Sequence, residues 1–347
     1  MFHKYIYHLV ATLLLFTSTL SPAIAEDKSA VVLLYHRFGE DTLPTTNIRL
    51  DQFETQIAHL TSGNYNVLPL SAIVQSLKNK EPLPERTVAI TVDDAYKSVF
   101  DEAWPRLKAA GLPMTLFVST DPIDENNPNY MSWDDIRALR DEGVEIAHHT
   151  ASHLHMIHAG LDAALADMRR ASGRFQTELG FVPDMFAYPY GEYSPALRDA
   201  IEELGFVAGF AQYSGPAAHW SDPYVLPRFP VNERFGNIDR FRLITNALAL
   251  PVEDITPASP VLSDAANPPV FGFTVDGSVT GLGAMACYPS HLGAPAELIT
   301  IGQTRMEVRF DPPFPRGRSR INCTLPAGNG RWYWLGQFFY LAGGRLD

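Results

Sequence analysis

The stretch Thr87-Val-Ala-Ile-Thr-Val-Asp-Asp94 is a short strand-like run that ends in two adjacent carboxylates. Side-by-side carboxylates repel each other unless a cation or a shared proton divides their roles. Further along lies His149-Thr-Ala-Ser-His153, two imidazoles spaced by four. Two carboxylates and two imidazoles make a donor set for a divalent ion, with one carboxylate left over for proton transfer.

Outward from this run, strands alternate with helices. Residues 31–35, 65–70, 87–92, 114–118, 144–147 and 185–188 read as strands. Helical spacing recurs at 51–60, where Phe53, Ile57 and Leu60 share a face, and at 98–110, 161–179 and 194–204. Ser71 is expected to cap a helix running to Leu77. Ser132-Trp-Asp-Asp135 opens another, with a polar cap and an acidic first turn. The alternation predicts an α/β fold, a parallel sheet with crossover helices that a chain of this length can close into a barrel. On this reading His36, Asp93, Asp94, His148, His149, Pro189 and Tyr190 all lie at or just beyond the carboxyl ends of strands. Barrel and open α/β enzymes build their active sites there.

The two ends of the chain differ from this middle. Residues 1–25 read as a secretory signal: Lys4, an apolar stretch at 9–20, and Ala23-Ile24-Ala25 before Glu26. A membrane anchor is the alternative, but the apolar run is short for a bilayer span. The full sequence has 347 residues and a formal net charge of −12, and the mature protein is expected to be exported, periplasmic or secreted, and not to bind nucleic acid. The barrel is assigned to 26–250, and residues 251–269, rich in proline, serine and alanine, read as a linker. Short β-like runs separated by glycine and proline at 270–347 predict a small β-sandwich. Cys287 and Cys323 fall in that region, where export favours a disulfide over two buried thiols. The aromatic cluster Trp332-Tyr333-Trp334 and Phe338-Phe339 has two readings, core packing or a sugar-stacking surface.

His149 and His153 converge on one ion whether 149–153 is a helix or a loop. A merely histidine-rich turn, with His148, His155 and His158 nearby, is the competing reading. Paired with the strand-terminal aspartates, Asp94, His149 and His153 give three protein ligands. That leaves the open coordination position a catalytic zinc site needs.

Taken together, Thr91-Val-Asp-Asp94, His149-Thr-Ala-Ser-His153 and Tyr188-Pro-Tyr-Gly191 resemble the first three motifs of the polysaccharide deacetylase family, the NodB-homology or carbohydrate esterase family 4 domain. Tyr35-His36-Arg37-Phe38 resembles the branch that includes poly-N-acetylglucosamine deacetylases. The resemblance covers residues 30–235 and implies a distorted (β/α) barrel. It implies that Asp93 is the general base toward the attacking water and that Asp94, His149 and His153 hold the metal. Pro189 and Tyr190 would line the groove, with the Tyr190 backbone N–H on the oxyanion.

Two departures stand out. The arginine that usually opens the third motif is replaced near Ala187. Arg228, in Leu226-Pro-Arg-Phe-Pro230, is a candidate to supply that charge from a later strand, against the reading of an ordinary surface arginine. The family's late leucine-and-histidine motif, which carries the general acid, is not recognisable. Some group must still protonate the leaving amine. His36 is the first candidate, followed by His148 and His219, each of which has the alternative of a core histidine bonded to a backbone carbonyl.

These observations predict a metal-dependent hydrolase that removes N-acetyl groups from N-acetylglucosamine-type residues of a polysaccharide. Zinc is the expected ion, and the same ligands accept cobalt, nickel or iron. Removal of O-acetyl groups, or action on a peptidoglycan sugar, would use the same centre. A carbohydrate-binding protein with a weakened site is a reading of another class. Nothing in the sequence indicates an oligomeric state.

Overall fold

The computed structural model describes residues 26–344, so the expected signal at 1–25 lies outside the described part. Six strands form the barrel wall: β1 Ser29–Tyr35, β2 Thr87–Asp93, β3 Thr115–Val118, β4 Glu145–His148, β5 Met185–Ala187 and β6 Ala208–Phe210. They pair in the order β6-β5-β4-β3-β2-β1, all parallel. Every residue of β1 and β2 is buried, as expected when helices cover one face and the barrel interior the other. The segment 226–230 closes the curl. Leu226 bridges to Phe210 of β6, and Phe229 pairs with Leu33 of β1. The expected distorted (β/α) barrel is the fold observed.

Local differences from the sequence reading have physical causes. Ser71 is not the helix cap. The helix Leu70–Asn79 follows Pro69, and the Leu70 N–H donates to the carboxylate of Glu145 at 3.0 Å, a residue 75 positions away. That acid meets the positive end of the helix, a role no local pattern could reveal. Residues 98–110 are not one α-helix. Pro105 has no N–H to give, so a wide π-type turn, Val99–Ala103, precedes the α-helix Trp104–Ala109. Ser132 does cap its helix, in a reciprocal capping box with Asp135.

The stretch 251–269 is not a free linker. Val252–Thr256 pairs antiparallel with Phe271–Val275, and Val261–Leu262 pairs with Arg331–Leu341. The proline content there marks irregular edge strands rather than a flexible spacer. The first of these pairs belongs to a four-stranded sheet completed by Glu297–Ile301 and Arg305–Arg309. It shares a core with a second sheet built on the long hairpin Gly317–Gly328 and Arg331–Leu341. From Gly317 to Leu325 buried and half-buried residues alternate, the period of a strand with one face in a core. Cys287 and Cys323 lie opposite each other in this second sheet and form the expected disulfide.

Of the aromatic cluster, Tyr333, Trp334, Phe338 and Phe339 pack against hydrophobic cores. Phe339 faces the C-terminal core, whereas Phe338 and Trp334 face the barrel, Trp334 edge-on to Phe229 at 5.1 Å. The contact between the two regions is close. A Cβ on Gly336 would lie 1.8 Å from the carbonyl oxygen of Ser214. Gly336→Ala is therefore expected to destabilise the protein by about 1–3 kcal/mol, the cost of overpacking, read as a lowered midpoint in urea.

Candidate active site

β2 delivers its last residue, Asp93, into the barrel interior, where its side chain is fully buried. In an extended strand the next side chain would point to the opposite face. Here Asp94 and Ala95 adopt left-handed backbone, φ 79° and 63°, and the chain turns. Thr150, His153 and Tyr190 are also left-handed, so five of the eleven non-glycine residues of positive φ among the described residues surround one site. Each costs of order 1–3 kcal/mol, a strain that persists only where the surrounding structure over-determines it.

The two aspartates have different partners. Arg228, itself fully buried, grips Asp93 with a two-pronged bond, Nη1 to Oδ1 at 2.7 Å and Nη2 to Oδ2 at 2.8 Å. Its Nε donates to the carbonyl of Ala211, and Nη1 also reaches the Thr91 hydroxyl. Arg228 is not a surface residue. Burial disfavours the charge on Asp93, but Arg228 and then His149 outweigh it and hold the carboxyl below its ordinary range.

Asp94 faces the histidines. Its Oδ1 lies 3.3 Å from His149 Nε2 and 3.2 Å from His153 Nε2. His149 Nδ1 donates to the carbonyl of Ala187 at 2.8 Å, which leaves the Nε2 lone pair directed into the site. Asp94 Oδ1 and His149 Nε2 are buried polar atoms with no hydrogen-bond partner. Such orphans are costly unless something fills the space between them. Three donors with about 2.0–2.1 Å bonds to a tetrahedral ion would sit about 3.3–3.4 Å apart, and two of the observed separations match. Burial opposes the charge on Asp94 also, yet His153 and His149 draw its carboxyl well below the usual range. His153 is pushed down to about 4 by burial, against the pull of Asp94, and so is neutral near pH 7. Burial lowers His149 in turn, but Asp93 and Asp94 raise it overall. The donor set fits a divalent cation.

A buried acid shapes the ligand loop. Asp167, on the helix Leu161–Leu179, accepts from the N–H groups of Ala151 and Ser152 and from the Ser152 hydroxyl. The His153 N–H in turn donates to Thr150 Oγ1 at 3.1 Å. Asp167 was missed in the sequence, although an acid inside the stripe Ala164, Met168, Ala171, Phe175 is the signal that could have revealed it.

After β5 the chain makes the tight turn Pro189–Gly191, and the Tyr190 ring stacks on His155 at 3.7 Å and meets His153 at 4.5 Å. Of the candidate proton donors, His36 follows β1 at the same sheet end. Burial lowers its pKa, while the charges of Asp94 and Asp93 act to raise it. His148 points away, into Phe175, Phe186 and Phe206, with Nδ1 accepting from the Thr150 N–H. Burial pushes it down to about 3. The backbone N–H of His219 donates to the carbonyl of Lys28, before the start of β1. The seven residues of β1 put it roughly 20 Å from the site, so it is no candidate.

Residues 80–209 match the family model for polysaccharide deacetylase, and this stretch contains Asp93, Asp94, His149, His153 and the Tyr190 turn. Over those residues the chain is similar to a polysaccharide deacetylase domain. Deacetylases of this kind are hydrolases that act on amides. Among its relatives is the poly-beta-1,6-N-acetyl-D-glucosamine N-deacetylase of Staphylococcus aureus, 22% identical over 234 residues, covering 60% of this chain and 80% of that one. The YxkH protein of Bacillus subtilis is 24% identical over 202 residues, 58% of this chain and 71% of that one. Among solved structures, the Streptococcus pyogenes deacetylase PplD superimposes with a TM-score of 0.58 at 20% identity, over 62% of this chain and 98% of that one. IcaB from Ammonifex degensii gives 0.55 at 23%, over 63% and 97%. Both likenesses show the deacetylase fold. Both leave over a third of this chain uncovered.

Arg228 lies beyond the matched residues, and Glu192 lies within them but outside the three motifs singled out in the sequence. Glu192 is a carboxylate 1% exposed, 3.2 Å from His155 Nδ1. Its position two residues past Tyr190 is the only cue the sequence offered.

Proposed function

We propose that this protein is an exported, metal-dependent deacetylase that hydrolyses the acetamide of N-acetylglucosamine-type residues in a polysaccharide, with zinc at Asp94, His149 and His153. The observation that carries the reading is the pair of orphaned buried atoms, Asp94 Oδ1 and His149 Nε2, beside a carboxylate pre-oriented by Arg228. Export is supported by the disulfide and by the leader-like residues 1–25. Among the described residues no helix is long and apolar enough to cross a membrane.

When bound, the ion supplies Lewis-acid polarisation of the amide carbonyl and lowers the pKa of water. The chain's residues do the rest. Asp93, held ionised by Arg228, takes a proton from the water that attacks the carbonyl carbon. The Tyr190 N–H donates to the oxygen that becomes negative. As the C–N bond breaks, leaving acetate and a free amine, the nitrogen takes up a proton, and Asp93, which has just gained one, and His36, at the same sheet end, are the groups placed to give it. Arg228 does for Asp93 what the missing third-motif arginine would do, from the strand that closes the barrel.

The test is acetate release from defined N-acetylglucosamine oligomers by the zinc-loaded protein, with O-acetylated sugars in parallel. Measurable glycan binding without acetate release under any divalent metal would sink the enzyme reading. A second measurement addresses the metal. His149→Ala removes one of three ligands and is expected to weaken zinc by well over about 100-fold, since even outer-sphere changes cost about 10–100-fold. Metal stoichiometry by mass spectrometry should fall from one to near none. Retained stoichiometry would refute the ligand assignment.

A further inference from the structure

Contacts from the C-terminal β-region converge on the turn that carries Tyr190. Arg318, on the strand Gly317–Gly328, places its guanidinium 5.2 Å from the Tyr190 ring centroid and 3.6 Å from Glu192 Oε1. Glu192 also reaches His155 Nδ1 at 3.2 Å, and the His155 ring lies parallel to Tyr190. Two residues along the same strand, Arg320 donates through Nε to the carbonyl of Gln212 at 2.7 Å. The Gln212 backbone is pressed against Gly191, where a Cβ would lie 2.3 Å from its nitrogen. Phe338 packs on Tyr193 at 5.7 Å. The turn is thus held between the barrel and the second β-region.

It needs holding. Tyr190 has φ 58° and ψ 2°, a conformation that an L-residue keeps only under external constraint. Glu192 is a buried carboxylate, and a buried carboxylate requires a counter-charge to stay in place. Arg318 is a guanidinium that supplies it across the contact between the two regions.

We propose that Arg318 is a positioning residue for the deacetylation. Acting through Glu192 and His155, it fixes the Tyr190 backbone so that its N–H meets the reacting carbonyl. The C-terminal β-region is then part of the active site rather than an appended module. This rests on the deacetylase reading above.

The test uses the full chain loaded with zinc, with Arg318→Met, Arg318→Lys, Glu192→Gln and the double variant Arg318→Met/Glu192→Gln. The readouts are kcat and KM on acetylated oligomers, zinc stoichiometry, and amide hydrogen exchange at 188–193. Arg318→Met is expected to lower kcat about tenfold, below the cost of deleting an oxyanion donor, with KM and zinc unchanged. Exchange at the Gly191 and Glu192 amides should speed by about tenfold, while the core strands keep their protection. Arg318→Lys keeps the charge without the planar fork and should recover part of kcat; it also serves if the methionine variant does not fold. The double variant should lose no more than the worse single one, because both act on one contact. Unchanged kcat and exchange, losses that multiply, or zinc lost in proportion to kcat would each overturn the assignment. Absence of acetate release by the wild-type protein would instead refute the deacetylase reading, and the exchange data would still decide whether Arg318 holds the turn.

Discussion

Asp93→Asn is expected to lower kcat by about 10²–10⁴-fold while leaving zinc bound, the range a positioned proton acceptor contributes. Asparagine has nearly the shape of aspartate, so the cavity stays filled. It cannot take a proton near neutral pH, and that is the function removed. Asp93 Oδ2 lies 3.9 Å from His149 Nε2, farther than Asp94 Oδ1 at 3.3 Å, so zinc stoichiometry should survive the change. Steady-state kinetics and metal analysis on the same preparation decide the matter. Turnover within a few fold of wild type would show that Asp93 is not the base, and loss of the metal would show that it is a ligand.

The largest expected effect on stability is Arg228→Met. Both members of the Arg228–Asp93 pair are completely buried, and removing one leaves an uncompensated charge in the barrel interior. Breaking such a pair costs about 3–5 kcal/mol, or roughly 6–20 °C in midpoint for a domain of this size. Methionine fills much of the arginine volume, which separates loss of charge from formation of a cavity. Turnover should fall as well, because Asp93 loses the fork that orients it. Arg228→Lys retains the charge but cannot bind both carboxylate oxygens, so it should restore more stability than activity. A variant as stable as wild type would mean that the pair contributes nothing net. A stable and fully active one would remove Arg228 from the site.

Much of the barrel could be read because its signals are local. A buried parallel strand is a short apolar run, and an active-site residue just past it is a break in that run. Asp93, Asp94, His149 and His153 were singled out this way, and the structure gathers Asp94 with the two histidines and pairs Asp93 with Arg228. The residues that were missed or left open act through contacts distant in sequence. Arg228 is 135 positions from Asp93, Glu145 caps a helix 75 positions away, and Arg318 reaches Glu192 from another sheet. Each looks like an ordinary charged residue in its own neighbourhood. The run 251–269 misled for a related reason: proline-rich composition suits a linker, but it also suits an irregular edge strand whose partners lie elsewhere.

By itself, then, the order of residues determined the alternation of strands and helices, the strand end at which the chemistry collects, and the donor types available there. These follow from side-chain periodicity and from the valence of carboxylate and imidazole. Only the tertiary structure decided how the Asp93-Asp94 pair divides its work. The left-handed turn at Asp94 sends one carboxylate to the histidines and leaves the other to Arg228. Two adjacent aspartates are chemically identical in the unfolded chain. They become different only when the fold places a guanidinium against one and two imidazoles against the other.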